Sequence, residues 1–122
     1  MGIRGIRGAV QVPENTAAAI STATQELLSA MVKANAVETE SIVSAFFTVT
    51  TDLNADYPAA AARVMGWTQV PLLDAQEIEV PGSMPRVIRV LLHVETDRTQ
   101  GAIKHIYPGA AAVLRSDLSG AQ

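Results

Sequence analysis

The sequence contains no cysteine, and this absence excludes several kinds of site at once. A chain without thiols forms no disulfide, no thiolate metal centre and no cysteine nucleophile. The neutral nitrogen ligands are limited to His93 and His105, which stand twelve residues apart with no further ligand pattern around them. We therefore expect a protein without a metal site.

Aromatic and basic residues are scarce as well. The chain has one Trp, two Tyr and two Phe, and its nine Lys and Arg stand against twelve Asp and Glu, for a net charge of −3. A nucleic-acid surface is built from a basic patch and stacking rings, so this composition argues against a nucleic-acid partner.

Long apolar runs are also missing. No run reaches the roughly 18 residues that a membrane span requires. The segment 1–8 lacks the apolar core of a signal peptide. We expect a cytoplasmic protein with no membrane segment.

The chain does have enough apolar sequence for a core, and it favours arginine. Its 122 residues are 48% apolar and 17% charged, which predicts one domain over residues 1–122 with a loose C-terminal tail at 116–122. Seven of the nine cations are Arg. Because a guanidinium binds carboxylate or phosphate through two parallel hydrogen bonds, this bias favours an anionic ligand.

The hydrophobic patterns predict an α+β fold with a mixed five-stranded sheet, one long helix and one short helix. Apolar residues at steps of three and four predict a helix from Thr16 to about Ala34, capped by Asn15 and stopped by a left-handed Asn35. Pro58 and the alanines after it predict a helix of two turns. Because the short helix joins two strands, a right-handed crossover is expected. The strands are expected at residues 2–10, 42–50, 70–74, 86–94 and 104–107.

Five side chains are candidates for chemistry. Arg89 lies inside an apolar strand. Either its side chain reaches solvent at the sheet edge, or its charge is desolvated because it has a function. Arg7 lies between glycines, which in a strand mark a close approach of a backbone or ligand. Glu77 and Glu79 share a face and could be paired acids, although a solvated strand face is commoner. Tyr107 is more often a packed ring than a ligand contact.

An ordered set of short segments runs from residue 3 to about residue 119. It consists of IRGIRGA at 3–9, YPA at 57–59 followed by Arg63, VPL at 70–72, QE at 76–77, IRV at 88–90, HIY at 105–107 and VLRSDL at 113–118. In this order the segments resemble the AroH-class, monofunctional chorismate mutases. The resemblance implies a homotrimer of mixed-sheet subunits with a ferredoxin-like or pseudo-barrel architecture and active sites between neighbours. It also implies the conversion of chorismate to prephenate in aromatic amino-acid biosynthesis.

That reaction is a one-step pericyclic rearrangement, which needs no cofactor, metal, nucleophile or proton carrier. The resemblance implies that Arg89 donates to the ether oxygen and to a carboxylate, and that Glu77 accepts a hydrogen bond from the ring hydroxyl. It also implies that Arg7 and Tyr107 bind carboxylate. The other residues implied to line the cleft are Tyr57, Ala59, Arg63, Leu72, Leu73, Asp74, Leu114 and Arg115.

Two positions depart from the family's pattern. Ala60 stands where the family often has Lys, so the attraction for carboxylate at the cleft mouth should be weaker. Asp74 stands where a small or thiol side chain is more familiar. A carboxylate there, close to Arg89, would compete with substrate for the guanidinium.

Two other functions stay open on the sequence. A related trimeric architecture is used by enamine deaminases of the RidA type, which also bind a carboxylate with Arg in an intersubunit cleft. The Glu77 and Arg89 pair and the N-terminal repeat argue against that family. A trimeric module that binds a carboxylate metabolite without turnover is the second alternative.

Overall fold

Four β-strands and three α-helices make up the computed structural model, which describes residues 2–115. In chain order the elements are β1 (Gly2–Gln11), α1 (Ala17–Ala34), β2 (Ile42–Val49), α2 (Pro58–Val64), β3 (Leu72–Gln76), β4 (Val87–Thr96) and α3 (Ala112–Arg115). Short 3-10 turns lie at Thr39–Ser41, Gln100–Ala102 and Gly109–Ala111. The tail expected at 116–122 lies outside the described residues. None of the described helices is long and apolar enough to cross a membrane.

The strands form one mixed sheet in the order β1–β4–β2–β3. β4 pairs antiparallel with both β1 and β2, whereas β2 and β3 run parallel. The parallel pair follows from α2, since the chain must cross over through this helix before it re-enters the sheet in the same direction. The predicted α+β class and mixed sheet are confirmed.

The expected fifth strand at 104–107 is wrong for the part of the chain that the structure describes. This segment makes a single parallel bridge, between Gly8 and Ile106 on the outer edge of β1. The bridge cannot extend toward residue 104 because the side chain of Asn35 bonds both the N–H and the C=O of Lys104, each at 2.8 Å. It cannot extend the other way because Pro108 has no N–H.

Helix α1 covers one face of the sheet. Its buried residues Ile20, Leu27 and Met31 form one apolar cluster with Ile6 and Leu92 of the sheet. The predicted apolar stripe is therefore a core face.

The glycine at position 8 lets α1 approach β1 closely. A Cβ on Gly8 would lie 2.6 Å from the sulfur of Met31 and 3.1 Å from Cδ1 of Leu27. The expectation that a strand glycine marks a close approach is met here. It is not met at Gly5, where the nearest atom to a Cβ, on Leu91, would be 3.5 Å away.

The two predicted caps of α1 are wrong. Thr16 caps the helix, with its hydroxyl accepting from the N–H of Ala19 at 3.1 Å. Asn15 instead accepts from the N–H of Asn54, so it joins the start of α1 to the loop after β2. Asn35 ends the helix with φ −109°, and the left-handed residue is Ala36, with φ 52°.

The opposite face of the sheet has no covering helix among the described residues, and we call it the open face. Side chains alternate between the two faces along each strand, so the neighbouring residues Arg7, Leu91 and Phe46 all point to the open face. Arg89 and Thr48, which are also neighbours and lie two residues away on β4 and β2, point to the same face. Exposed apolar side chains mark the open face: Ile3 (52% exposed), Phe46 (38%) and Leu73 (56%).

Candidate active site

A cleft of about 260 Å³ lies on the open face where β1, β4 and β2 run side by side. The register places Thr48 directly beside Arg89, and Leu91 between Arg7 and Phe46. The cleft is lined by Arg7, Gly8, Phe46, Thr48, Arg89, Val90, Leu91 and Tyr107. It therefore presents two guanidinium-bearing residues and a phenol in one apolar hollow.

Arg89 is held in place by Glu77. The Nε atom of Arg89 lies 3.0 Å from Oε2 of Glu77, and these side chains are 33% and 16% exposed. Thr48 donates its hydroxyl proton to the same Oε2 atom at 2.7 Å. Oε2 of Glu77 therefore joins β2 to β4, and among residues 2–115 no residue other than Glu77 hydrogen-bonds the side chain of Arg89.

The backbone explains why Glu77 reaches Arg89. Glu77 directly follows β3, and its N–H still bonds the carbonyl of Val49 at 2.9 Å. This bond extends the parallel pairing by one residue. Ala75 pairs with Thr48 on the open face, and alternation returns Glu77 to that face.

Arg7 is anchored through its main chain to the segment after β4. Its N–H donates to Nδ1 of His105 at 2.9 Å, and its C=O accepts from the N–H of Ile106 at 3.0 Å. The guanidinium of Arg7 makes no hydrogen bond or ion pair within the described residues. Tyr107, the next residue along, is buried against Ala9 in a small apolar cluster. The same segment thus positions Arg7 and Tyr107 at the cleft.

Positive charges surround the imidazole of His105. Burial lowers its pKa, and the guanidinium groups of Arg7 and Arg115 lower the pKa further. Arg115 also donates from Nη1 to the main-chain carbonyl of His105 at 2.9 Å. This network ties α3 to the Arg7 side of the cleft.

A second hollow, of about 450 Å³, lies at the start of α2, and Tyr57 and Asp74 are among its lining residues. The Oδ1 atom of Asp74 accepts from the N–H of Ala59 at 3.1 Å. Burial raises the pKa of Asp74, whereas the Ala59 N–H and the charge of Arg63 oppose that rise. The carboxyl therefore serves α2 as a capping acceptor.

Within one chain, Asp74 does not meet Arg89. Asp74 pairs with Phe47, whose side chain is buried on the α1 side, while Ala75 and Arg89 belong to the open face. Direct competition between Asp74 and substrate for Arg89 is thus absent from a single subunit.

Residues 3–118 match the sequence profile of the family described as chorismate mutase type I. The chain belongs to the type I chorismate mutase family. It is 50% identical over 121 residues to the chorismate mutase AroH of Thermus thermophilus, covering 98% of this chain and 99% of that one. It is 41% identical over 120 residues to the chorismate mutase AroH of Bacillus subtilis strain 168, covering 98% and 94%.

Solved structures agree with the sequence comparison. A chorismate mutase from Clostridium thermocellum superposes with a TM-score of 0.88 at 50% identity, covering 89% of this chain and 97% of that chain. The family predicted from the ordered segments is therefore confirmed.

The structure brings together only part of the residue set that the family resemblance implies. Arg7, Arg89 and Tyr107 line the cleft and Glu77 bonds Arg89 beside it. Leu114 packs on the cluster that holds Tyr107, and Arg115 lies exposed next to His105. The remaining residues lie on or beside α2 and β3, and none of them lines this cleft, although Leu73 pairs with Phe46 at its edge: Tyr57, Ala59, Arg63, Leu72, Leu73 and Asp74.

Sequence reasoning did not single out Thr48 or His105. Both make contacts between distant parts of the chain, and His105 entered the sequence analysis only as an isolated imidazole and as part of the segment at 105–107. A known strand register would have revealed Thr48, since it stands directly opposite Arg89. No group of three or more His, Asp or Glu side chains among residues 2–115 could hold a metal ion.

Proposed function

We propose that the cleft on the open face binds chorismate and rearranges it to prephenate. Chorismate mutases are isomerases that catalyse this conversion, and the chain carries the activity of its family. In the rearrangement a carbon–oxygen ether bond breaks while a carbon–carbon bond forms, and no atom is gained or lost. The enzyme must hold the compact conformer and stabilise the negative charge that develops on the ether oxygen.

Arg89 is the donor to that oxygen. The observation that supports this role most strongly is the ion pair of its Nε atom with Glu77, which orients the guanidinium at the cleft. A donor that is already oriented costs no reorganisation when charge develops. Its partly buried position also strengthens the interaction relative to water.

Glu77 is the acceptor for the ring hydroxyl of the substrate. Its Oε2 atom contacts Arg89 and Thr48, and these two contacts fix the carboxylate beside the cleft. The carboxylate acts here as a fixed hydrogen-bond acceptor and transfers no proton.

Arg7 and Tyr107 bind the substrate carboxylates. The guanidinium of Arg7 has no other partner within the described chain, while its main chain is held at both N–H and C=O. A rigid backbone that carries an uncommitted guanidinium suits the binding of an anion. Tyr107 contributes a phenol from the adjoining wall.

The complete active site is formed between subunits of a homotrimer. The residues on α2 and β3 do not reach the cleft of their own chain, so a neighbour supplies them. Exposed Ile3, Phe46 and Leu73 make the open face suitable for burial against another copy. The residues of α2 and β3 in one subunit then complete the cleft of the next.

One assay separates the function from its alternatives. Loss of chorismate absorbance in the ultraviolet, with prephenate as the identified product, is expected of this protein. An enamine deaminase or a binding module would leave chorismate unchanged. Sedimentation should show a trimer, and a fully active monomer would refute the intersubunit site.

A further inference from the structure

The main-chain N–H of Arg7 donates to the side chain of His105, whereas in a regular β-ladder it would donate to a main-chain carbonyl. The parallel bridge between Gly8 and Ile106 has two bonds, from Ile106 N–H to Arg7 C=O at 3.0 Å and from Ala9 N–H to Ile106 C=O at 3.1 Å. In a continued parallel ladder the next acceptor, for the N–H of Arg7, would be the carbonyl of Lys104.

That carbonyl is already used. It accepts from Nδ2 of Asn35 at 2.8 Å, and Oδ1 of Asn35 takes the N–H of Lys104. The N–H of Arg7 therefore donates to Nδ1 of His105, with 2.9 Å between the two nitrogen atoms. The imidazole therefore replaces a missing strand carbonyl.

This bond requires a neutral imidazole with its proton on Nε2. A nitrogen that accepts a hydrogen bond carries no proton, and an imidazolium ring has only donors. Protonation of His105 would leave the N–H of Arg7 without an acceptor. It would also put a further positive charge beside Arg7 and Arg115, the charged side chains that β1 and α3 bring against the ring.

We propose that His105 is a positioning residue of the active site, whose neutral imidazole fixes the main chain at Arg7 and whose protonation weakens chorismate binding. The proposal rests on the proposed carboxylate-binding role of Arg7 and Tyr107. His105 itself touches no reacting atom. It acts by holding the main chain of Arg7 against the segment that carries Tyr107, which lies two residues after His105.

The expected effect falls on KM and has a defined sign. Charge alone would make a protonated His105 attract the dianionic substrate and lower KM at acid pH. Loss of the hydrogen bond between the N–H of Arg7 and His105 raises KM, because substrate binding then has to pay the entropy of ordering the Arg7 guanidinium. The geometry predicts that KM rises at acid pH, below the pH of about 6.5 at which an ordinary imidazole gains a proton, because burial and the charges of Arg7 and Arg115 lower the pKa of His105.

Two substitutions separate the acceptor from the charge. In His105→Asn the side-chain Oδ1, attached to Cγ as Nδ1 is, keeps an acceptor near the same place but cannot be protonated. His105→Ala removes the acceptor. We expect His105→Ala to raise KM by about tenfold, the effect of one lost partner for a partly buried N–H, with a much smaller change in kcat.

Steady-state kinetics of the parent and both variants from pH 5 to pH 8 test the proposal. His105→Asn should keep the parent's KM at pH 8 and lose the rise at acid pH. His93→Asn serves as the control, since it removes the other histidine and should retain the acid rise. An Asn variant as impaired as the Ala variant, or a parent KM that falls on acidification, would overturn the proposal.

The anchoring of Arg7 can also be measured in the free enzyme, so that its outcome does not depend on whether chorismate is the substrate. Nitrogen NMR of His105 should show an unprotonated Nδ1 near pH 7. Exchange of the Arg7 amide with solvent should be faster in His105→Ala than in His105→Asn. Equal exchange in the two variants would refute the anchoring role whether or not chorismate is the ligand.

Discussion

The Nε atom of Arg89 and the Oε2 atom of Glu77 lie 3.0 Å apart, and the hydroxyl of Thr48 donates to the same carboxylate oxygen. One oxygen thus fixes a guanidinium by ion pairing and is itself fixed by a strand hydroxyl. Because β4, β2 and the end of β3 contribute one residue each, the orientation of Arg89 depends on the register of three strands.

The contribution of Thr48 is tested by Thr48→Val, which keeps the shape of the side chain and removes the donor. We expect kcat to fall by about tenfold, the scale of one hydrogen bond to a charged group, because Glu77 and Arg89 lose a fixed orientation. Thr51→Val is the matched control, since Thr51 donates to Glu79 in the same way at 2.7 Å outside the cleft. If both variants match the parent, Thr48 does not orient the pair.

The role of Glu77 as an acceptor predicts a flat pH profile. No proton moves in a pericyclic step, so kcat should be constant from about pH 6 to pH 9, without the bell shape of general acid–base catalysis. The solvent deuterium isotope effect on kcat should be negligible. Glu77→Gln keeps an acceptor and should be impaired less than Glu77→Ala. A bell-shaped profile with an isotope effect of about two or more would place Glu77 in proton transfer.

Asp74 should reduce stability at neutral pH. Its pKa is raised by burial, so the folded chain favours the protonated carboxyl, and the cost of its charge appears as the pH rises through that pKa. Asp74→Asn keeps the acceptor for Ala59 and removes the charge, so its denaturation midpoint should be higher than the parent's at pH 7. The difference should vanish below about pH 3, and KM for chorismate should be lower or unchanged.

Asp52 is a control for Asp74, because its pKa is shifted in the opposite direction. A hydrogen bond from the hydroxyl of Thr50 lowers the pKa of Asp52, and backbone contact with Arg86 lowers it too. Asp52→Asn should therefore be less stable than the parent at pH 7. Equal behaviour of the two variants would show that charge at these positions does not govern their stability.

The close approach at Gly8 predicts a packing defect. In Gly8→Ala the new Cβ would meet Met31 and Leu27 and the main-chain oxygen of Ile106, so the free energy of unfolding should fall by about 1–3 kcal/mol. Gly5→Ala on the same strand is the control and should be close to neutral, because its nearest neighbour would lie 3.5 Å away. Urea denaturation of both variants provides the measurement. A stable Gly8→Ala would mean that α1 shifts at little cost.

The sequence predicted the elements whose signal is periodic. The long helix and four of the five expected strands follow from residue spacing, the short helix follows from Pro58 and the alanines after it, and all of these were found. The strand expected at 70–74 lies at Leu72–Gln76, because Pro71 supplies a carbonyl to Ala45 and has no N–H to donate.

Features that depend on distant contacts could not be predicted in this way. The segment at 104–107 has the composition of a strand, but Asn35 of α1 occupies the polar groups that a fifth strand would need. The same residue is predicted to be a left-handed helix stop by its sequence position alone, because its bonds to Lys104, 69 positions away, have no local signal. At the site, Arg89 and Glu77 were expected, whereas Thr48 became visible only with the strand register.

In the proposed mechanism Arg89 stabilises the charge that develops on the ether oxygen of chorismate. The most direct measurement is kcat for Arg89→Ala with prephenate as the identified product, beside Arg98→Ala as a control outside the cleft. We expect Arg89→Ala to lower kcat by at least about a thousandfold, as for loss of a preorganised oxyanion donor, with the fold unchanged. Arg89→Lys should recover part of the loss because it restores the charge without the fork. An Arg89→Ala enzyme that keeps kcat within about tenfold of the parent, far short of the loss expected on removing such a donor, would contradict the claim.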